Sequence, residues 1–261
     1  MYDLDAGVAE IYDKIEMKTA DVALLGRLLG SREGLRILEP FCGTGRILIP
    51  LACDGHTVVG LDHAAGMLDR AREKVSALAP EVRSRIALQE RDVVGDGWPQ
   101  GFDLVVLGGN CLYELATPEE QARVIARAAA SLRPGGRVFV DNDHMEGELD
   151  PSWYEPPVED GVFPTGECAD GTRLESRWHV VWYDAARRLI RFRRQTRIVR
   201  PDGTATEHEV VQQKHPPSGE EVAEWLEAEG FSIERRMGDY DGSVYTDDAP
   251  RAIFWARREE A

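Results

Sequence analysis

The sequence has no long hydrophobic run. That excludes a membrane-spanning helix, which needs about 20 consecutive apolar residues. It has only four cysteines, Cys42, Cys53, Cys111 and Cys168, and none sits at the paired spacing of a metal site. No metal is expected. The first residues, Met1-Tyr2-Asp3-Leu4-Asp5, are acidic and do not resemble a secretion leader. The cysteines are therefore expected to be free thiols and the chain cytoplasmic. Base is in deficit: 31 Lys and Arg stand against 47 Asp and Glu, a net charge of −16. Such a charge disfavours nucleic acid and anionic membrane as partners. Internal repeats and low-complexity segments are also missing.

Two further absences concern phosphate. Gly43 and Gly45 are followed by Leu48 where the dinucleotide fingerprint has its third glycine. No Lys-Ser or Lys-Thr pair follows the turn, so the phosphate loop of nucleotidases is absent too. What is present is the run Ile37-Leu38-Glu39-Pro40-Phe41-Cys42-Gly43-Thr44-Gly45-Arg46. An apolar strand ends in an acid, turns on glycines and enters a helical stretch, which makes a cradle for an extended ligand. Asp62 ends a second strand, Thr57 to Asp62, where a carboxylate can accept from both hydroxyls of a ribose. Asp92 ends a third, Ile86 to Asp92, where an adenine amine can be read.

As an ordered set, Glu39-Pro40-Phe41-Cys42-Gly43-Thr44-Gly45, Asp62, Met67-Leu68, Asp92 and Leu132-Arg133-Pro134-Gly135-Gly136-Arg137 resemble the class I S-adenosylmethionine-dependent methyltransferases. The resemblance covers Arg36 to Asp143. It implies an α/β fold with a Rossmann-like seven-stranded sheet, helices on both faces and an inserted antiparallel β lid. It implies S-adenosylmethionine as cofactor, held by Glu39, Phe41, Gly43, Gly45, Arg46, Asp62, His63, Met67, Asp92, Val93 and Gly108. Residues 1–145 and 215–261 are then the cofactor-binding domain, and 146–214 the lid. Gly109-Asn110 followed by Leu115 is similar to the glycine and glycine/sarcosine N-methyltransferases and to a wider group of small-molecule N-methyltransferases. Asp141-Asn142-Asp143-His144 departs from the Asp-His-Arg-Asn pattern of glycine N-methyltransferase, because it lacks the arginine.

The rest of the chain fits this frame. Residues 5–30 are expected to be helical, with Val8, Ile11, Tyr12 and Ile15 on one face and Gly30 as the stop. Helices are expected from Arg46 to Cys53, from Met67 to Ala79 and from Thr117 to Leu132. Phe102 to Leu107 is expected as a buried parallel strand, and Arg137 to Asp141 as the fifth. Residues 146–172 are expected as loop. Leu174, Ser176, Trp178, Val180 and Trp182 alternate as in a strand. Leu189–Arg200 and Thr204–Lys214 continue that sheet through the hairpin signal Pro201-Asp202-Gly203. Arg187, Arg188, Arg191, Arg193, Arg194, Arg197 and Arg200 invite a nucleic-acid reading, but Glu175, Glu207 and Glu209 on neighbouring strands can pair with them. One arginine turned inward towards a substrate carboxylate is the alternative. Ser218-Gly219-Glu220-Glu221 is a capping box. Phe231–Met237 and Ala252–Arg257 are the last strands.

Methyl transfer asks the protein to hold nucleophile, methyl carbon and sulfur in line and to exclude water. Asn110, Tyr12 and His144 are the catalytic candidates; Asp143, Tyr240 and Asp241 stand near them. The expected partner is a small-molecule substrate, with an amine nitrogen as methyl acceptor, and a second copy of the chain is an allowed partner. The alternatives are an oxygen or carbon acceptor, which favours a positioned base such as His144, and a cofactor-binding module without catalysis.

Overall fold

Alternation in the buried strands builds two cores, one on each face of a single sheet. The computed structural model describes residues 6–155 and 159–259; the acidic start at 1–5 and residue 5 of the expected first helix lie outside them. Five parallel strands form the centre: β1 (Arg36–Pro40), β2 (Thr57–Asp62), β3 (Ile86–Glu90), β4 (Phe102–Leu107) and β5 (Leu132–Asp143). At one edge stand β11 (Phe231–Met237) and β12 (Arg251–Arg258), and β12 runs antiparallel to both its neighbours. The order is β11-β12-β5-β4-β1-β2-β3.

Leu38, Val105, Leu107, Val138 and Phe254 face one core with helices α6 (Pro118–Ser131) and α7 (Gly219–Ala228). Ile37, Leu104, Val106, Phe139 and Trp255 face the other with α2 (Ala20–Leu29), α3 (Leu48–Cys53) and α4 (Ala65–Ser76). The expected helix over 5–30 is two helices, α1 (Ala6–Ile15) and α2, separated by residues 16–19. α3 starts two residues later than expected. Pro50 is its third residue, where an intrahelical donor is not required, so it costs the helix no hydrogen bond. A one-turn helix, α5 (Pro80–Arg83), precedes β3.

β5 starts five residues before the expected Arg137. Leu132 pairs with Phe102, and the register then skips over Pro134-Gly135-Gly136 before Arg137 pairs with Leu104. It also runs past Asp141 to Asp143, because β12 pairs with it to that point.

The second sheet is antiparallel, in the order β10 (Ala205–Lys214), β9 (Leu189–Val199), β8 (Arg173–Asp184) and β6 (Glu159–Asp160), with β7 (Gly166–Glu167) pairing β8. Leu174, Ile190, Phe192 and Ile198 are its buried side. The alternation expected for Trp178, Val180 and Trp182 breaks at a bulge between Val180 and Trp182, which leaves Trp182 41% exposed. Cross-strand pairs Arg197–Glu175 at 3.4 Å and Arg193–Glu209 at 3.2 Å account for part of the arginine run. Arg188 does turn inward, but to main chain: it donates to the carbonyls of Met145, Gly147 and Pro216.

α7 carries the full capping box. Ser218 Oγ accepts from Glu221 N at 3.1 Å, and Glu221 Oε2 accepts from Ser218 N at 2.8 Å. The Ser218→Ala variant should lose about 1 kcal/mol of stability, read as a shifted denaturation midpoint with unchanged slope. No described helix is long and apolar enough to cross a membrane.

Candidate active site

The carboxyl ends of the parallel strands open into a cavity of 990 Å³, where an open α/β sheet places its ligands. Every candidate site residue named above lines it except Gly45, His144, Asp143 and Asp241. The glycine turn forms its floor. Gly43 has φ 52° and Gly45 φ 81°, and Phe41 is itself left-handed at φ 63°. A Cβ on Gly108 would stand 2.6 Å from Ile47 Cδ1, and one on Gly43 3.3 Å from Met67 Cε. Packing thus calls for glycine at both places, and each presents bare backbone to the cavity. Gly45 serves the turn from behind, against Ile49 and Ala71.

Asp62 ties this floor together. One oxygen accepts from Gly43 N at 2.8 Å and the other from Ala64 N at 2.9 Å. Burial pushes its carboxyl above the ordinary range, against those two bonds. Each oxygen keeps a lone pair for a ligand hydroxyl. Asp92 accepts from Val94 N at 2.9 Å, and Val93, 3% exposed, continues that wall. Glu39 is 4% exposed, with burial holding its carboxyl well above the usual range, and its Oε2 is a buried acceptor without a hydrogen bond among the described residues. Arg46 reaches the same region and pairs with Asp21 at 2.6 Å. Asp13, next to Tyr12, binds Thr44 Oγ1 at 2.6 Å and Lys74 at 2.8 Å, which locks α1 onto the glycine turn and α4.

The loop after β4 is held by a network that the sequence did not reveal. Asn110 is left-handed at φ 60°. Its Oδ1 accepts from Asp143 N at 2.8 Å and Arg251 Nη2 at 2.9 Å, and its Nδ2 donates to Asp143 Oδ2 at 2.9 Å. Asn110 lines the cavity, but its amide oxygen is already saturated by the protein. Of the two roles open to it, accepting from a substrate amine or holding a substrate carbonyl, the filled Oδ1 leaves the second, through the other Nδ2 hydrogen. Arg251 also grips Asp141, through Nε at 2.8 Å and Nη2 at 2.6 Å, and pairs with Asp143. Asp141 is wholly buried, and burial pushes its carboxyl up despite Arg251. Tyr240 donates to it at 3.0 Å.

His144 lies off the cavity. Its N–H donates to Pro250 O at 3.1 Å, continuing the β5–β12 pairing, and its ring stacks on Tyr245 with centroids 5.3 Å apart. It is not placed to act as a base. Tyr12 is placed on the wall, with its phenol pushed up to about 12, chiefly by burial. Lining residues that sequence reasoning missed include Glu16, Lys18, Gln212, Lys214 and Arg251. Gln212 and Lys214 come from β10 of the second sheet, and their alternation was the one local signal that both face one side.

Residues 37–136 match the family model described as a methyltransferase domain. Over 114 residues the chain is 30% identical to the 23S rRNA (uracil(1939)-C(5))-methyltransferase RlmD of Bordetella pertussis, covering 42% of this chain and 23% of that protein. The chain thus spans about a quarter of the length of the first curated relatives it matches. Among solved structures, the CcbJ methyltransferase of Streptomyces caelestis superposes with a TM-score of 0.70 at 20% identity, over 99% of this chain and 98% of that one. The sugar N-methyltransferase KedS8 of a Streptoalloteichus species gives 0.69 at 18% identity, over 95% and 90%. These likenesses extend across both sheets, so the methyltransferase fold includes the antiparallel one.

Proposed function

We propose that the chain transfers a methyl group from S-adenosylmethionine to the nitrogen of a small-molecule amine. The observation that carries this reading is the single cavity. It joins the glycine turn and the acids of β1, β2 and the β3 loop to Gln212 and Lys214 of the second sheet. Its residues fit the cofactor. Asp62 suits the ribose diol, Asp92 the adenine amine and the unpaired Glu39 Oε2 an ammonium, and the bare turn admits an extended ligand. The sulfonium, when bound, supplies a methyl already activated for transfer. The protein orients the reactants and keeps water out, and positioning supplies much of the rate. On this reading residues 1–145 and 215–261 hold the cofactor and 146–214 cover the acceptor.

Nitrogen is favoured because neither His144 nor Tyr12, the expected candidates for a base, is poised to take a proton. His144 lies elsewhere, and the Tyr12 phenol stays protonated at neutral pH. An amine needs no base once it arrives neutral, whereas a hydroxyl or carbon acid does. The relatives over the whole length include sugar and glycopeptide N-methyltransferases. The rRNA methyltransferases match 42% of the chain, and the net charge of −16 opposes a polyanionic substrate. A panel of amines, alcohols and thiols with S-adenosylmethionine, read by release of S-adenosylhomocysteine, tests this. Amines should give turnover. Turnover by alcohols alone would sink the nitrogen assignment, and failure of S-adenosylmethionine to bind by calorimetry would sink the whole reading.

A further inference from the structure

Six acidic side chains line the cavity, and four of them are tied to protein donors. Asp62 holds Gly43 and Ala64, and Asp92 holds Val94. Glu114 pairs with Lys214 at 3.1 Å, and Glu120 accepts from Ala116 N at 2.8 Å. Glu39 is sealed beneath the glycine turn. Glu16 alone is a half-buried carboxylate with neither hydrogen bond nor ion pair among the described residues.

Its position is well defined. Glu16 N donates to Tyr12 O at 2.8 Å, so the side chain leaves the backbone one helical turn beyond Tyr12. Tyr12, whose phenol feels the Glu16 charge, interacts in turn with Arg46. Arg46 Nη2 stands 3.2 Å from where a Cβ of Gly109 would be. Glu16 therefore shares a wall with the groups that border the loop after β4. Lys18 is the other charge on that connector lining the cavity.

We propose that Glu16 is a catalytic residue that faces the acceptor nitrogen. Its carboxylate accepts an N–H of the amine, aims the lone pair at the methyl carbon and stabilises the charge the nitrogen acquires. The inference rests on the methyl-transfer reading above. The nitrogen lone pair forms the N–C bond as the C–S bond breaks and its electron pair stays on sulfur. One positive charge passes from sulfur to nitrogen, and the methylammonium loses a proton to water after release. A fixed carboxylate beside the nitrogen is more strongly engaged after this shift than before it, which is what lowers a barrier.

Sinefungin tests this without an identified acceptor. It is an S-adenosylmethionine analogue with a carbon-borne amine in place of the methylated sulfonium, so it puts an ammonium where the acceptor nitrogen approaches. The parent protein should bind sinefungin more tightly than S-adenosylhomocysteine by calorimetry. In Glu16→Gln, sinefungin affinity should fall about tenfold or more, the value of a charge-assisted hydrogen bond, with S-adenosylhomocysteine affinity unchanged. Glu16→Ala should behave alike, and matching thermal midpoints would exclude a folding defect. Equal losses for both ligands would place Glu16 at the amino-acid end of the cofactor and overturn the proposal, as would an unchanged ratio. If the parent binds neither ligand, the methyl-transfer reading itself falls and this inference with it.

Discussion

Arg251→Met should destabilise the protein by about 3–5 kcal/mol, because it leaves a buried carboxylate without its counter-charge. Asp141 is wholly buried and receives two of the Arg251 contacts, at 2.8 and 2.6 Å. The remaining donors, Tyr240 at 3.0 Å and Gly109 N at 3.3 Å, are neutral. For a chain of this size the loss should lower the thermal midpoint on the order of 10 °C. The sign of the pH dependence follows from the direction of the shift. Burial raises the folded carboxyl of Asp141 above its unfolded value. A raised group contributes stability that is present below the unfolded pKa, about 4, and is lost as pH rises through the folded one. Removing Arg251 raises the folded value further, so the deficit of the variant should shrink as pH falls from 7 towards 5. Asp141→Asn added to Arg251→Met should recover part of the loss at pH 7. A deficit below 1 kcal/mol, or one that does not depend on pH, would show that the pair carries little.

This network also shows where sequence reading stops. Strands Thr57–Asp62, Phe102–Leu107 and Phe231–Met237 were legible to the residue, because each is an apolar or alternating run bounded by turn formers. The glycine turn and its acids were legible because they are local. Arg251 was not. It meets Asp143 only because β12 runs antiparallel to β5 with Arg251 opposite Asp143, more than a hundred residues away in sequence. The same pairing carried His144 away from the cavity towards Tyr245. Asn110 was found by its motif, but nothing local revealed that Asp143 and Arg251 would saturate its amide oxygen. Glu16 was hidden for a different reason. A continuous helix over 5–30 gave no cause to single it out, and the break at 16–19 placed it over the cavity.

Asp62→Ala should weaken S-adenosylmethionine binding about a hundredfold or more, through the loss of two charge-assisted hydrogen bonds at about 1.5–3 kcal/mol each. Two effects act together. The ribose loses its acceptor, and the N–H groups of Gly43 and Ala64, satisfied at 2.8 and 2.9 Å, lose theirs. Unsatisfied buried donors cost about 1–3 kcal/mol each, so the free protein should also be destabilised. Asp62→Asn separates it from simple loss of charge. Its amide would turn one donor towards a backbone N–H that already needs an acceptor, so it should do no better than alanine. Asp92→Ala is the control: Asp92 is exposed where Asp62 is buried, and it holds Val94 rather than the glycine turn, so its loss should cost less affinity. Calorimetry on the three variants orders them. Cofactor affinity unchanged in Asp62→Ala would refute the ribose role, and an Asp92→Ala loss exceeding that of Asp62→Ala would reverse the assignment of which acid anchors the donor.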